Sequence, residues 1–309
     1  MDNFACNLMQ TVEAYEKDIQ KQPEFLKSFK NQKPLSENQQ KNTIFTGSGD
    51  SLASAMLAEA FSEFKVRAMD PLDLAKNKTI AKNNSIYFVS ISGNTISNIK
   101  VARIAKKSTA ITSRPKSRLA KACDKAIILQ YPNSDVFTAG SISFLESALT
   151  CISLITPIKI PKNDIYKKAY SDAKKTRVGK RIFFLGNQYT FPIAMYGAAK
   201  FYELVGYDTH FERIEQFSHM ELFSAKKGDT VIIFEKKNPH NQMLAANLRK
   251  IGINAILPNV FYNDKVSQII YYTIFSQSLS LFEAKKIGKK DCNFVVEKKL
   301  RKVSDDMIY

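Results

Sequence analysis

Short apolar runs along the chain alternate with longer segments of helical period. Residues 43–46 (TIFT), 66–69 (VRAM), 85–90 (SIYFVS), 109–112 (TAIT) and 126–129 (AIIL) carry the β-branched and aromatic residues of buried strands. Between and after them, residues 52–64, 96–106 and 140–155 read as helices. Upstream, Phe4, Leu8, Val12, Tyr15 and Ile19 recur at helical spacing, which predicts an amphipathic helix over residues 4–30, then a polar stretch to residue 42. Pro157, Pro161 and a lysine-rich segment through Lys180 read as a linker plus a helix. The pattern then restarts. Strands are expected at 181–185 (RIFFL), 209–212, 230–234 (TVIIF) and 254–257, and helices at 192–205, 241–251 and 266–287.

Strands that alternate with helices imply parallel sheets joined by right-handed crossovers. The same order occurs twice, so the expected fold is α/β: a tandem duplication of two doubly wound domains, flavodoxin-like or Rossmann-like, over residues 1–158 and 159–309. Ligands in such folds sit beyond the carboxyl ends of the strands.

Two loops fall there, and both suit an anion. Ser90-Ile91-Ser92-Gly93-Asn94-Thr95 follows a strand and opens a helix. Unpaired backbone N–H groups at such a helix start favour negative charge. Ser90, Ser92 and Thr95 add hydroxyl donors, while Gly93 permits a close backbone approach beside Asn94. Gly47-Ser48-Gly49 is a second strand–turn–helix site, and Ser48 offers one more hydroxyl. Either loop alone is compatible with simple capping; two on adjacent strands point to a phosphate and part of a sugar.

The charge agrees with an anionic ligand. Lys and Arg number 46 against 29 Asp and Glu, a net charge of +17. The lysines are dispersed, and no helix-turn-helix, zinc finger or aromatic–basic repeat accompanies them, so nucleic acid is not the expected partner. No run of 18 apolar residues predicts a membrane span, and the N-terminus lacks a signal-peptide layout, which gives a cytoplasmic expectation. Cys6, Cys123, Cys151 and Cys292 are scattered without C-x-x-C spacing, so neither a metal nor a disulfide framework is expected.

The chain resembles tandem SIS (sugar isomerase) domain proteins over nearly its whole length, and most of all the archaeal-type bifunctional phosphoglucose/phosphomannose isomerases. Residues 90–95 match their phosphate loop, and Asp70-Pro71-Leu72-Asp73 resembles the stretch after their second strand. Lys200-Phe201-Tyr202-Glu203, followed by His219, resembles the isomerase half of glucosamine-6-phosphate synthase. The resemblance implies that Glu203 is the catalytic glutamate and His219, on a loop, the ring-opening histidine. Lys302 in the tail is the implied active-site lysine, with Lys298 and Lys299 as rivals. It also implies a homodimer that completes its site across subunits. The family's Pro-Arg dipeptide after the fifth strand is missing. Residues 131–139 read YPNSDVFTA, and residues 136–139 resemble the Val-Ala-Ser-Thr stretch of amino-sugar enzymes, which makes Thr138 a substrate contact.

These resemblances imply a sugar-phosphate aldose–ketose isomerase that needs no cofactor. The expected reaction takes glucose 6-phosphate or mannose 6-phosphate to fructose 6-phosphate through a cis-enediolate. Histidine suits ring opening near neutral pH, and one carboxylate near C1 and C2 suits the proton transfer. A fixed cation stabilises the enediolate. Two alternatives stand beside it: a phosphosugar sensor without catalysis, and an amino-sugar-phosphate isomerase or deaminase. A plain surface ion pair is the bland account of Lys200 and Glu203.

Overall fold

The computed structural model describes residues 9–161 and 164–309. Phe4, Leu8 and Cys6 lie outside the described residues. The expected N-terminal helix is two helices, α1 (Thr11–Gln20) and α2 (Gln22–Ser28). Pro23 is the reason: it lacks the N–H that an interior turn needs and is tolerated in the first turn of a new helix. Within the polar stretch that follows, α3 (Glu37–Gln40) is one turn closed by a Ser36 capping box.

The first sheet has five parallel strands: β1 (Thr43–Thr46), β2 (Arg67–Met69), β3 (Ser85–Val89), β4 (Lys107–Thr112) and β5 (Lys125–Ile128), in the order β2-β1-β3-β4-β5. That is the flavodoxin-type order, with its switch point between β1 and β3. Helix α4 (Asp50–Phe61) joins β1 to β2, α5 (Pro71–Lys76) and α6 (Lys78–Asn83) lead to β3, and α7 (Ile96–Ala102) to β4. Then α8 (Arg118–Ala122) leads to β5 and α9 (Ile142–Ser153) follows it. Strand residues alternate between faces. Ile44, Ile86, Phe88 and Ala110 pack with α5 and α7 on one face, while Phe45, Val89 and Ile111 pack with α4 and α9 on the other.

After α10 (Ile165–Lys175) comes a second parallel sheet. It contains β6 (Arg181–Gly186), β7 (Asp208–Glu212), β8 (Thr230–Phe234) and β9 (Asn254–Ile256), in the order β7-β6-β8-β9. Its helices are α11 (Phe191–Leu204), α12 (Ile214–His219), α13 (Pro239–Lys250) and the long α14 (Lys265–Lys286); α15 (Asn293–Val296) and α16 (Lys298–Ile308) end the chain. Both sheets are parallel with helices on both faces, as the alternation of elements implied.

The two halves meet in one continuous core. Leu57 of α4, Phe144 and Leu149 of α9, Phe201 of α11, Ile270 and Phe275 of α14 and Tyr15 of α1 belong to a single apolar cluster. Burying each such side chain stabilises the fold by about 2 kcal/mol. Helix α14 is therefore interior to the protein; among the described residues, no helix is long and apolar enough to cross a membrane.

Candidate functional site

A cavity of about 1100 Å³ opens at the carboxyl ends of the first sheet. Segments following β1, β3, β4 and β5 all reach it: Ser48 to Ser51, Ser90 to Thr95, Ser113-Arg114 and the stretch from Leu129 through Phe144. Asp18 of α1 and the last residues, Ile308 and Tyr309, complete its wall.

Ser48, Ser90, Ser92 and Thr95 all line this cavity. Ser90 is nearly buried, and its Oγ lies 3.5 Å from Thr95 Oγ1. Thr95 stands at the N-cap of α7 without a side-chain capping bond, so its hydroxyl is not spent on the helix. Gly49 caps α4 at φ 58, ψ −127, backbone that is almost confined to glycine, and a side chain there would meet open space. Gly93 behaves differently from expectation. It is buried at φ 61, and a Cβ would clash with Ser117 Oγ and Cβ; the close approach it permits is to its own chain. Gly47 likewise packs on Ser51. Neither glycine, nor Gly49 or Asn94, is part of the cavity wall, because each serves the turn that presents its serine neighbours.

Beneath the wall lies an ion-pair relay. Lys200 Nζ, fully buried, donates to Asp50 Oδ2 at 2.7 Å and to Glu203 Oε2 at 2.5 Å. Asp50 sits in the first turn of α4 and lines the cavity; Lys200 and Glu203 are one turn apart on α11. The bland surface pair is thus excluded, since the ammonium has no exposed surface. Burial alone would lower the Lys200 pKa, but Asp50 and Glu203 outweigh it and hold the ammonium above its ordinary value. Burial pushes the Glu203 carboxyl up to about 7, against the opposing pull of Lys200 and with help from the Asp50 charge. Tyr196, whose OH donates to the Gly140 carbonyl at 2.7 Å, holds the cavity's 140–144 segment onto α11. Its ring stacks on Phe144 and lies 4.8 Å from Lys200 Nζ.

Other expected site residues are not gathered here. Thr138 lines the cavity, but its hydroxyl is spent on the Thr11 carbonyl at 2.7 Å. His219 is the exposed last residue of α12, not a loop residue, and does not line its own chain's cavity. The Ile214 and Phe217 anchors, both buried, give this segment its helical turn. Lys298, Lys299 and Lys302 are exposed on α16 and point to no partner in the cavity wall. Their neighbour Arg301 rests on the ring of Phe137 instead. Asp135 lies in the wall where an arginine was sought. Sequence reasoning missed Arg114, Asp18 and Asp50. Asp50 alone had a local signal, as an acidic residue in the first turn of a helix.

The two parallel sheets and their flanking helices give the chain the same fold as several solved phosphosugar isomerases and deaminases. Among solved structures, glucosamine-6-phosphate deaminase from Thermotoga maritima superposes with a TM-score of 0.77 at 18% identity, over 90% of this chain and 96% of that one. Tagatose-6-phosphate ketose/aldose isomerase from Escherichia coli gives 0.65 at 16% identity, over 91% of each chain. The C-terminal domain of glucosamine-fructose-6-phosphate aminotransferase from Francisella tularensis gives 0.67 at 14%, over 91% and 97%. No family model and no curated protein matches the chain.

Proposed function

We propose that the protein is a sugar-phosphate aldose–ketose isomerase acting on a hexose 6-phosphate, with glucose 6-phosphate and mannose 6-phosphate converting to fructose 6-phosphate. The observation that carries this reading is that Asp50, which anchors the buried Lys200–Glu203 pair, lines the same cavity as the serine and threonine hydroxyls of the two loops. Ser48, Ser90, Ser92 and Thr95 hold the phosphate and fix the sugar's orientation. Glu203 removes the C2 proton and returns it to C1, a task suited to a carboxyl held near neutrality. Charge developing on the enediolate oxygens is met by Lys200, the buried cation bonded to Asp50 of the wall. His219 opens the sugar ring from a second copy of the chain in a homodimer.

The experiment is exchange of the C2 proton with solvent deuterium. Wild-type protein is expected to exchange it from glucose 6-phosphate or mannose 6-phosphate, at a rate that rises with pH through about 7 as Glu203 ionises. Glu203→Gln is expected to lose the exchange by about 1,000-fold while still binding the sugar phosphate. A second reading, a phosphosugar sensor, is favoured by one observation: Glu203 lies behind Lys200 and outside the cavity wall. Binding of sugar phosphates without any exchange selects the sensor.

A further inference from the structure

We propose that Asp50 is a catalytic residue of this site: its carboxylate takes the proton of one sugar hydroxyl and gives it to the neighbouring oxygen, while Glu203 serves the carbons. This rests on the isomerase reading above and deepens it, because that reading leaves the oxygen-to-oxygen transfer without an owner.

The reaction moves two protons. From an open-chain aldose, the C2–H bond breaks and a new C1–H bond forms. The O2–H bond also breaks and an O1–H bond forms, so the C1 carbonyl becomes a hydroxyl and the C2 hydroxyl a carbonyl. The electrons stay within the sugar: C1 is reduced, C2 is oxidised, and no outside reagent enters. A carboxylate that holds the carbon's proton cannot carry the oxygen's proton at the same moment. A second group is needed.

The first observation is a surplus of acid. Lys200 carries one positive charge, yet two carboxylates bond to it, Asp50 and Glu203. One of them is enough to neutralise a buried ammonium. Asp50 belongs to the cavity wall, and 22% of its side-chain surface is exposed. A second counter-ion has no need of a cavity; a carboxylate that meets a sugar does.

The second observation is at Gly140, another residue of the wall. A Cβ there would stand 2.6 Å from Asp50 Oδ2 and 3.7 Å from Lys200 Nζ. Gly140 is not among the glycines with positive φ, so its missing side chain makes room rather than a turn. The room lies over the oxygen that Lys200 holds. Oδ1 is buried, which leaves Oδ2 as the oxygen on the cavity side. Oδ2 accepts from Lys200 at 2.7 Å and has a second lone pair to offer a sugar hydroxyl.

The carboxylate is also held in place. Gly49, at φ 58, starts α4 so that Asp50 falls in its first turn. Lys200 fixes Oδ2 from behind, and Tyr196 OH fixes the Gly140 carbonyl at 2.7 Å. A fixed carboxylate beside two adjacent oxygens meets the geometric demand of proton transfer between them.

The test separates the two transfers. The full chain is given glucose 6-phosphate or mannose 6-phosphate in deuterium oxide. Turnover is read as fructose 6-phosphate formed, and carbon proton transfer as deuterium at C2 of the recovered aldose. Asp50→Asn is expected to lower turnover about 100-fold more than it lowers exchange, because an enediolate that cannot move its oxygen proton returns to aldose. Asp50→Glu restores a carboxylate and is expected to recover about 10-fold of that loss. Gly140→Ala, which fills the space over Oδ2, is expected to shift the ratio in the same direction, and it reports even if Asp50→Asn does not fold. Equal losses of turnover and exchange in these variants, as a purely structural ion pair would give, overturn the proposal and leave the isomerase reading standing. A wild type with neither turnover nor exchange overturns both.

Discussion

After β1 the chain turns at Gly47, and after β6 it turns at Gly186. In both places a Cβ would strike the residue four positions on, Ser51 or Thr190. From this shared turn the two sheets diverge. In the first, the next strand over, β3, is followed by Ser90, Ser92 and Thr95, which line an open cavity. In the second, the corresponding strand β8 is followed by Glu235. Its carboxylate accepts from Asn187 Nδ2 at 2.7 Å and from the amides of Asn238 and Asn241 at 3.4 Å each. The second switch point carries its own anion. The difference between the two strand ends lies in side chains: hydroxyls around a cavity at one, a carboxylate bound by three amides at the other.

A second pair of glutamates sharpens the point. Glu235 is surrounded by amide donors. Glu146, on α9 under the first sheet's cavity, is 9% exposed with Oε2 unpartnered, and burial pushes its carboxyl up to about 7 despite a hydrogen bond from the Gln130 backbone. The folded protein therefore holds a proton that the unfolded chain releases near the ordinary value of 4.5, and stability falls as pH rises from there through about 7. Glu146→Gln is expected to raise stability by about 3 kcal/mol at pH 8 and by little at pH 4, read from urea unfolding at the two pH values. A variant equally stabilised at both would show that the charge is not what costs.

The next effect in size tests the open strand end. Replacing Ser92 and Thr95 together by alanine is expected to weaken fructose 6-phosphate binding about 100-fold, with the melting temperature nearly unchanged. Unchanged affinity would remove the loop from the site. The smallest effect tests the filled strand end. Glu235→Gln should cost about 1–2 kcal/mol of stability, opposite in sign to the Glu146 variant, and leave fructose 6-phosphate affinity as it was. A change in affinity would mean that the second switch point also meets the ligand.

The strand ends were legible because apolar runs such as TIFT and SIYFV stop abruptly at small residues. The short helices α5, α6 and α8 were not, since five or six residues give no periodicity to count; α5 and α8 are held by caps, Asp70 Oδ1 on the Leu72 amide at 2.7 Å and Ser117 Oγ on the Ala120 amide at 3.2 Å. Strand β4 begins two residues earlier than its apolar run, where Asp124 ties down Ser108 by its N–H at 2.8 Å and its hydroxyl at 2.9 Å. Ser90 and Ser92, at the wall of the cavity, could be read locally. Asp18 could not, because it is a polar residue on an amphipathic helix until the fold sets it against residues 133–135. Nor could the bond between Asp50 and Lys200, which are 150 positions apart.

That separation has a consequence in time. A ribosome adds about 5–20 residues per second, so roughly 8–30 s pass between the appearance of Asp50 and that of Lys200. The first sheet has all its strands once Ile128 is made. Its cavity still lacks the cation beneath Asp50, and α14, which closes the shared core, is further off. The nascent first half therefore emerges with its hydroxyl-bearing loops made and the floor beneath them unfinished, and the cavity becomes whole only when the second half arrives.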